Sequence, residues 1–527
     1  MTRLFVRHQL VWIAAAAMAI FLPFAGSHAV SVGAQADVSG AGEERCVTLT
    51  SLKLPDAAVG QTNVVRAGGF APPGGRGNAP FAEAPSFCRV TMKLTPTEDS
   101  NIAVEVWLPL SGWNGKYQAV GNGGWAGAIG YPALAAALKR GYAASATDTG
   151  HTGNSASFAL GHPEKLIDYA YRSEHAMAVA AKAVVQTFYG KMPSRSYFNG
   201  CSTGGRQALV EASRYPDDFD GIIAGAAANP KTHLDAWRMV MSLAMFKSAE
   251  SFIPASKYPA ISTAVLDSCD TLDGVRDGLI ENPQSCRFNP EVLLCKGADG
   301  PDCLTAPQVE SARVAMSPLK DPKTGDEIFP GYERGSELGW GRLLGGPDPY
   351  ETALDTYKYV IFKNPSWDWR TFSLERDFAE ATRVTQGLLT AVDPNLTPFA
   401  ARGGKLLTYH GWADESIPPR ASINFYTRTR QATQAPSSNA DWVRLFMVPG
   451  MQHCGGGVGP NSFDAIGALE SWIERGQAPA SMLASHSTEG RIDRTRPLCP
   501  YPQVAKYRGT GSIDDAANFA CVSSQGR

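Results

Sequence analysis

Residues 196–204, Ser-Tyr-Phe-Asn-Gly-Cys-Ser-Thr-Gly, place a Gly-x-Ser-x-Gly motif between a strand-like run and a helix-like run. This arrangement is typical of a nucleophile elbow, the tight turn that exposes a serine oxygen in α/β-hydrolases. Gly200 and Gly204 supply the backbone freedom and close packing that such a turn requires. The motif alone also arises by chance in a glycine-rich chain, so its position between a strand and a helix is what favours Ser202 as a nucleophile.

The sequence around this motif alternates strands and helices, as a mostly parallel α/β sheet requires. Periodicity predicts strands over residues 102–108, 117–120, 143–147, 196–199, 405–410 and 443–448, and helices over 133–139, 174–188 and 463–475. The sheet is therefore expected to stop after the serine motif and to resume much later in the chain.

Residues 229–398 lack this alternation and contain tryptophans, prolines, an Asp/Gly-rich loop and four cysteines. A chain of 527 residues also exceeds what one hydrophobic core usually organises. We predict an α/β-hydrolase fold with a large inserted lid domain. Its first part covers residues 46–228, the lid covers 229–398 and the second part covers 399–527.

The composition describes an ordinary globular protein, with 44% hydrophobic and 19% charged residues. The formal net charge is −2 and no long basic run occurs, whereas nucleic-acid binding depends on neutralising phosphates. A nucleic-acid partner is therefore not expected. The sequence does not indicate an oligomeric state.

The amino terminus is typical of an export signal. Arg3 and Arg7 precede an apolar run over residues 10–24, and small residues follow at 27–29. We predict a signal peptide over residues 1–29, with cleavage after residue 29 or as late as 34. A membrane anchor is the alternative, but the apolar run is shorter than the roughly 20 residues that span a bilayer. A secreted or periplasmic protein without membrane contact after signal removal is expected.

A serine nucleophile needs a histidine that takes its proton and an acid that orients the histidine. In α/β-hydrolases the acid and then the histidine follow late strands of the sheet. Asp414 follows the strand at 405–410, and His453 follows the strand at 443–448. We therefore predict Asp414 as the acid and His453 as the general base.

Other residues compete for these two roles. Glu415 is adjacent to Asp414 and is the alternative acid. His410 and His486 also follow the resumed sheet, but His410 precedes every acid of that loop. We expect His410 to make a structural hydrogen bond next to the acid loop.

Two backbone N–H groups must form an oxyanion hole for the reaction intermediate. One usually belongs to the residue after the nucleophile, here Thr203, and the other to a loop after an early strand. The loop Gly-Asn-Gly-Gly-Trp at 121–125 lies in that place, so Gly123 and Gly124 are both candidates. A plain turn is the alternative for this loop.

The chain contains ten cysteines, an even number that favours complete pairing as disulfides in an exported protein. A zinc site is the alternative, but the sequence contains no CxxC pair. Disulfides are therefore the favoured interpretation.

The motifs together resemble one family. Gly-Cys-Ser-Thr-Gly-Gly-Arg at 200–206, His-Gly-Trp-Ala-Asp at 410–414 and His-Cys at 453–454 are similar to those of the tannase/feruloyl esterase family, which includes mono(2-hydroxyethyl) terephthalate hydrolase. The resemblance covers nearly the whole mature chain, including the 121–127 loop and Asp-Thr-Gly-His at 148–151.

The resemblance implies that Cys201, directly before the serine, is joined to Cys454, directly after the histidine. Such a bond would fix two distant loops against each other, whereas two unrelated buried thiols are the alternative. The other pairs that the resemblance implies are Cys46–Cys88, Cys269–Cys286, Cys295–Cys303 and Cys499–Cys521.

The resemblance also implies a structural Ca²⁺ ion in the lid and no organic cofactor. The ion would be bound by the side chains of Asp270, Asp273 and Asp277 and by the carbonyls of Val275 and Leu279. Calcium takes 6–8 oxygen ligands of these kinds, although the loop is not an EF-hand. Without the resemblance, a solvated Asp/Gly turn would be the ordinary interpretation.

We expect a serine carboxylic ester hydrolase that forms an acyl-enzyme. The resemblance, not the spacing, implies esters of small aromatic acids, as in a feruloyl esterase or tannase. One alternative is a terephthalate half-ester hydrolase, which needs a cationic lid residue to bind the free carboxylate. The lid arginines considered for this are Arg334, Arg370, Arg376 and Arg383.

The other alternative is a catalytically silent binding protein on the same fold, and the complete set of triad candidates argues against it. Four tryptophans either stack on a substrate ring or belong to the core: Trp125, Trp237, Trp367 and Trp412.

Overall fold

The computed structural model describes residues 36–75, 79–389 and 392–524. The predicted signal peptide lies outside these residues and stays a prediction. None of the helices in the described ranges is long and apolar enough to cross a membrane.

The strands of the described chain are β1 (Lys53–Leu54), β2 (Ala57–Val65), β3 (Phe87–Leu94), β4 (Ile102–Pro109), β5 (Lys116–Val120), β6 (Ala143–Thr147), β7 (Arg195–Cys201), β8 (Gly221–Gly225), β9 (Leu319–Lys320), β10 (Glu327–Phe329), β11 (Lys405–Gly411), β12 (Val443–Val448), β13 (Ser462–Phe463), β14 (Met482–Thr488), β15 (Arg491–Leu498), β16 (Gln503–Tyr507) and β17 (Phe519–Ser523).

The α-helices are α1 (Ala36–Thr48), α2 (Tyr131–Lys139), α3 (Pro163–Ile167), α4 (Ser173–Tyr189), α5 (Thr203–Arg214), α6 (Lys231–Met245), α7 (Tyr258–Cys269), α8 (Ala306–Met316), α9 (Gly341–Leu344), α10 (Glu351–Asp355), α11 (Leu374–Thr385), α12 (Thr397–Ala401), α13 (Arg420–Ala432) and α14 (Ala465–Arg475). Each predicted strand and helix is present, and its ends differ from the prediction by at most two residues.

One large sheet organises the molecule, with strand order β1-β2-β3-β4-β6-β5-β7-β8-β11-β12. The strands from β6 to β12 in this order are parallel. The strands from β1 to β4 extend the sheet in antiparallel fashion. The α/β prediction is confirmed. In the antiparallel extension β4 was predicted, whereas β2 was not, because its residues are half exposed or exposed and carry a weaker apolar signal than buried strands.

Helices cover both faces of the sheet. Apolar residues of α4, α5 and α13 pack in one hydrophobic cluster, and those of α2 and α14 pack in another. Helix α1 begins at Ala36, before the predicted start of the first part at residue 46, and its Cys46 packs in the first cluster. The serine motif lies at the carboxyl end of β7, in the middle of the sheet.

The chain between β8 and β11 builds a separate hydrophobic core, which we call the lid core. Helices α6, α7, α8 and α11 contribute to it, and buried Trp237, Trp340 and Tyr357 are among its large side chains. Near the end of this segment, Phe399 and Ala400 already pack in the cluster of the main sheet.

The carboxyl-terminal residues form two small antiparallel sheets that were not predicted. Strands β13, β14 and β15 make one of them, and β16 and β17 make the other. Residues 503–507 and 519–523 are mostly half exposed, so their apolar alternation is weak.

The ten cysteines form five disulfides with the pairing that the resemblance implies. These are Cys46–Cys88, Cys201–Cys454, Cys269–Cys286, Cys295–Cys303 and Cys499–Cys521.

Glu174 on α4 is a buried carboxyl behind the helix that follows the serine. It is 1% exposed, and neither of its carboxyl oxygens has a hydrogen-bond partner among the described residues. Burial raises the pKa of Glu174 to about 8, and the charge of Arg206 opposes this only in part. Glu174 therefore keeps its proton in the folded protein at neutral pH.

We predict that Glu174→Gln reduces the loss of stability at rising pH. In the unfolded chain the pKa of this carboxyl is about 4.3. Its contribution to the free energy of unfolding is therefore fully present below that pH and is lost as the pH rises towards the folded-state pKa of about 8. The wild-type free energy of unfolding should fall by up to about 1.4 kcal/mol per pH unit on this account. Thermal unfolding of both proteins between pH 5 and 8.5 measures the difference.

Glu98→Gln is the matched control, because Glu98 is exposed. It should leave the pH dependence unaltered. A Glu174→Gln protein that loses stability with pH as steeply as the wild type would show that this carboxyl does not hold a proton.

Candidate active site

Ser202 lies between β7 and α5 in a conformation that side chains rarely adopt, with φ 64° and ψ −122°. Its backbone is fixed from both sides. The N–H of Ser202 donates to the carbonyl of Gly225 over 3.0 Å, and its own carbonyl accepts from Arg206 N and Ala228 N at 3.1 and 3.0 Å. Strained backbone held by its surroundings is characteristic of a nucleophile elbow.

The glycines of the motif are needed for close approach of backbone segments. A Cβ at Gly200 would lie 2.4 Å from the carbonyl oxygen of Gly204, and a Cβ at Gly205 would lie 2.2 Å from that of Gly225. Gly121 is similarly tight, since its Cβ would lie 2.6 Å from the Cα of Gly204. The loop at 121–127 is therefore packed directly against the elbow.

The structure brings Ser202, His453 and Asp414 together. The hydroxyl of Ser202 lies 2.9 Å from Nε2 of His453, and Nδ1 of His453 lies 2.8 Å from Oδ2 of Asp414. Since the carboxylate can only accept, Nδ1 carries the hydrogen and Nε2 is free to accept from the serine. This is the contact order of a nucleophile, a general base and an orienting acid.

Asp414 is fully buried and surrounded by donors. Its Oδ1 accepts from the N–H groups of Ser416 and Ile417 at 2.7 and 2.8 Å. Burial by itself would raise the pKa of Asp414, but the charges and hydrogen bonds of His453 and His410 outweigh it and hold that pKa well below its usual range. The group is a carboxylate at any pH near neutrality.

His410 makes the structural hydrogen bonds expected of it. Its Nε2 donates to Oδ2 of Asp414 at 2.9 Å and to the carbonyl of Ile417 at 3.0 Å. The other nitrogen, Nδ1, lies 2.8 Å from the hydroxyl of Ser422. His410 thus fixes the acid loop and does not reach the serine.

The alternative acid, Glu415, does not contact the ring of His453. Its carboxylate accepts from the backbone N–H of His453 at 3.2 Å. His486 pairs with Asp493 instead of with any residue of this site. Asp414 is therefore the acid that the geometry favours.

The disulfide between Cys201 and Cys454 joins the elbow to the histidine loop. The two Cα atoms lie 6.0 Å apart although the positions of the two cysteines in the sequence differ by 253. Since each cysteine is the direct neighbour of Ser202 or His453, the bond restrains the distance between nucleophile and base.

The oxyanion-hole candidates surround the same space. Thr203 is the first residue of α5, where backbone N–H groups have no partner within the helix. Its hydroxyl and that of Tyr169 donate to the carbonyl of Gly124 at 3.0 and 2.7 Å. A Cβ at Gly123 would meet no atom within 4 Å, so this residue faces open space beside the serine.

A cavity of about 540 Å³ opens above Ser202. The oxyanion candidates and His453 line its base, and the lid lines the opposite side with Lys231, Leu234, Arg238, Arg342 and Tyr350. Lys231, Leu234 and Arg238 recur at helical spacing on α6, a signal in the sequence that was not used. The cavity is within the usual range for a small-molecule site.

The four lid arginines considered from the sequence do not line this cavity. Arg334 lines a separate cavity beside Trp412, and the other three form ion pairs at the surface of the lid, Arg370 with Asp368, Arg376 with Asp377 and Arg383 with Glu380. The sequence left open whether any of these arginines points inward, and the cations that line the cavity come from α6 and α9 instead.

One of the four tryptophans reaches the cavity. Trp125 lines it, donates from Nε1 to the carbonyl of Thr352 at 3.1 Å and stacks on Tyr169. Trp237 packs on Tyr332 in the lid core, and Trp367 packs on Tyr357. The core interpretation therefore holds for Trp237 and Trp367.

The aspartates of the loop at 270–279 accept hydrogen bonds from backbone N–H groups of the same loop. Asp270 accepts from Asp277 N and Gly278 N at 3.2 and 3.1 Å, and Asp273 accepts from Val275 N at 3.0 Å. Burial raises the pKa of Asp273 to about 6, and the nearby charges of Asp277 and Asp270 add to the effect. The carboxylates of this loop accept from its own N–H groups, and Arg496 pairs with Asp277.

Among the described residues, Cys295, Asp299 and Cys303 have their possible ligand atoms close enough together to hold a metal ion. The two cysteines are joined in a disulfide, so they have no thiolate to offer a metal.

Comparison with known proteins identifies the chain's relatives. Residues 88–522 match the family model described as tannase and feruloyl esterase. An uncharacterised esterase of Xanthomonas campestris pv. campestris is 37% identical over 529 residues, which is 91% of each chain. A probable feruloyl esterase B of Aspergillus clavatus is 33% identical over 91% of this chain and 96% of its own.

A solved structure gives the same result. The crystal structure of feruloyl esterase B from Aspergillus oryzae aligns with a TM-score of 0.86 and 30% identity, covering 91% of this chain and all of that chain. The resemblance found in the motifs is therefore confirmed, and the chain belongs to the tannase and feruloyl esterase family.

Proposed function

We propose that the protein is a secreted serine carboxylic ester hydrolase that acts on esters of small aromatic acids. Relatives named feruloyl esterase B and the family itself support an esterase of the feruloyl esterase or tannase type. The observation that carries the serine mechanism is the continuous path of contacts from Ser202 through His453 to Asp414. A silent binding protein would have no use for this path.

In the first half of the reaction the oxygen of Ser202 attacks the ester carbonyl while its proton passes to Nε2 of His453. Asp414 stabilises the imidazolium that forms and keeps its tautomer. The negative oxygen of the tetrahedral intermediate accepts from the N–H of Thr203 and from Gly123 or Gly124. The imidazolium then gives its proton to the leaving alcohol, and the acyl group stays on Ser202.

In the second half a water molecule replaces the alcohol. His453 takes a proton from the water, the hydroxide attacks the acyl-enzyme, and the same oxyanion donors stabilise the second intermediate. Return of the proton to Ser202 releases the acid and restores the site.

The cavity suits a single substituted ring. Its volume is about 540 Å³, and the rings of Trp125 and Tyr350 form part of its wall. A terephthalate half-ester is the second candidate, because the half-exposed guanidinium of Arg342 lines the cavity and could pair with a free carboxylate.

The location that we propose is outside the cytoplasm, either secreted or periplasmic. Five disulfides in one chain need an oxidising compartment, and the sequence before residue 35 has the pattern of a cleavable export signal.

We further propose that the loop at 270–279 binds a structural Ca²⁺ ion. Asp270, Asp273 and Asp277 would supply carboxylates, and Val275 and Leu279 would supply carbonyl oxygens. The ion would neutralise the crowded negative charge that raises the pKa of Asp273. Because the loop belongs to the lid, the ion would stabilise that region and take no part in ester cleavage.

Replacing Ser202 with Ala should lower turnover by about 10⁴-fold or more, because the hydroxyl forms the acyl bond and contributes little packing. His453→Ala should do nearly the same. Hydrolysis of methyl ferulate, methyl gallate and the terephthalate half-ester, measured side by side, tests both the mechanism and the acid preference. We expect the first two esters to be cleaved faster than the third.

Ser213→Ala is the matched control, since Ser213 lies on the same helix α5 but outside the cavity. Its activity should equal that of the wild type. A Ser202→Ala protein with more than a tenth of wild-type turnover would rule out the serine mechanism.

The double change Cys201→Ala with Cys454→Ala should lower both kcat and stability. The histidine loop becomes free to move away from Ser202, and the unfolded chain gains freedom worth about 2–4 kcal/mol. Cys295→Ala with Cys303→Ala is the control, because that bond closes a short loop in the lid and its loss should leave kcat unchanged.

Peptide mapping without reductant must find the Ser202 fragment linked to the His453 fragment. A free thiol at Cys201 or Cys454 contradicts the account.

Removal of calcium by a chelator should lower the melting temperature more than it lowers turnover at moderate temperature. An ion that binds only the folded state stabilises it by mass action. Asp273→Asn should abolish this sensitivity to chelator while keeping activity. If the purified protein contains no calcium and the chelator does not change its melting temperature, the loop is a plain turn.

A further inference from the structure

Glu415 is a buried carboxylate that the proposed reaction does not use. It is 5% exposed and directly follows the acid Asp414. Its Oε2 accepts from the backbone N–H of His453 at 3.2 Å. The side chain therefore contacts the backbone of the general base, although it does not contact the imidazole ring.

The same residue is the point where the lid meets the catalytic loops. The hydroxyl of Tyr332 donates to the carbonyl of Glu415 at 2.6 Å, and Nη1 of Arg342 lies 3.7 Å from its Oε1. Gly339 of the lid packs so closely that a Cβ there would lie 2.6 Å from the Cβ of Glu415. Tyr332 is fully buried, while Arg342 also lines the cavity above Ser202.

Several charged or titratable groups face Glu415. Asp414 and His453 belong to the catalytic loops, Tyr332 and Arg342 belong to the lid, and Arg238 of α6 donates to the carbonyl of the next residue, Ser416. Burial raises the pKa of Glu415, the charge of Asp414 raises it further, and the charge of His453 opposes both. The neighbouring carboxylate thus disfavours its charge, whereas the lid arginine and an imidazolium favour it.

We propose that Glu415 is a positioning residue that fixes the backbone of His453 against the lid and adds a negative charge beside the imidazolium. This inference rests on the proposed function, because it needs His453 as the general base. Glu415 acts through His453 and has no contact with the ester. Its loss should therefore change turnover and the pH dependence of turnover, while KM changes little.

Two substitutions separate the two parts of this role. Glu415→Leu removes both the acceptor and the charge, so His453 can shift relative to Ser202. We expect kcat to fall by about tenfold or more with KM within about twofold. Glu415→Gln keeps a carbonyl acceptor but removes the charge. We expect it to retain kcat within about threefold and to move the acid limb of the kcat/KM profile to lower pH by roughly half a unit.

Glu337→Gln is the matched control. Glu337 is a fully buried lid glutamate whose carboxylate accepts from a backbone N–H, that of Gly335, but it has no contact with His453. Its pH profile should superimpose on that of the wild type. If Glu415 had only a structural role, Glu415→Leu and Glu415→Gln would both have a lower melting temperature, and neither would move the acid limb of the kcat/KM profile.

The measurement is kcat and KM for one aromatic methyl ester between pH 4.5 and 8.5, with Ser202→Ala in parallel. If Ser202→Ala is inactive and the Glu415→Gln profile superimposes on the wild-type profile, this inference is overturned and the proposed function stands. If Ser202→Ala is active, the proposed function itself fails. Glu415→Gln keeps the test decisive even if Glu415→Leu does not fold.

Discussion

The close contact of four backbone segments around Ser202 is the constraint on which the site depends. The carboxyl end of β7, the start of α5, the loop after β5 and the end of β8 meet at distances that leave no room for a side chain at Gly121, Gly200 or Gly205. This contact holds Ser202 in its left-handed conformation, because its N–H and carbonyl are both bonded to neighbouring segments. It also brings the oxyanion loop beside the serine. One steric arrangement therefore fixes the proposed nucleophile and the candidate oxyanion donors together.

The lid does more than cover the cavity. Trp125 of the oxyanion loop packs in the lid core and donates to Thr352, while the ammonium of Lys231 lies over its ring. Arg238 spans the lid and the acid loop, since it donates to Thr352 and to the carbonyl of Ser416. The lid thus supports the oxyanion loop on one side and the acid loop on the other. Two of the three loops that carry the proposed catalytic groups are therefore anchored in the chain between β8 and β11.

The features of the fold and of the candidate site that depend on short sequence patterns could be predicted from the sequence. Buried parallel strands, the serine motif and the order of acid and histidine each leave a local signal, so Ser202, Asp414 and His453 could be selected as candidates, and the structure brings these three residues into contact. The lining of the cavity was not found, because Arg342 and Tyr350 come from segments whose position depends on how the whole lid packs. The orientation of Arg334, Arg370, Arg376 and Arg383 stayed open for the same reason, because the sequence gives the charge of a side chain but its direction depends on its tertiary neighbours.

The Cys201–Cys454 bond also determines how tension passes through the molecule. It closes a covalent ring that contains α5, β8, the entire lid, β11, α13 and β12. A force applied to the two chain ends is carried across the ring by the disulfide, and the chain between Cys201 and Cys454, roughly 850 Å when extended, is not pulled. The Cys46–Cys88 and Cys499–Cys521 bonds shield β1, β2 and β16 in the same way, so the force acts on the chain between Cys88 and Cys201 and on the chain between Cys454 and Cys499. The ring containing the lid would remain closed until the disulfide itself is cut.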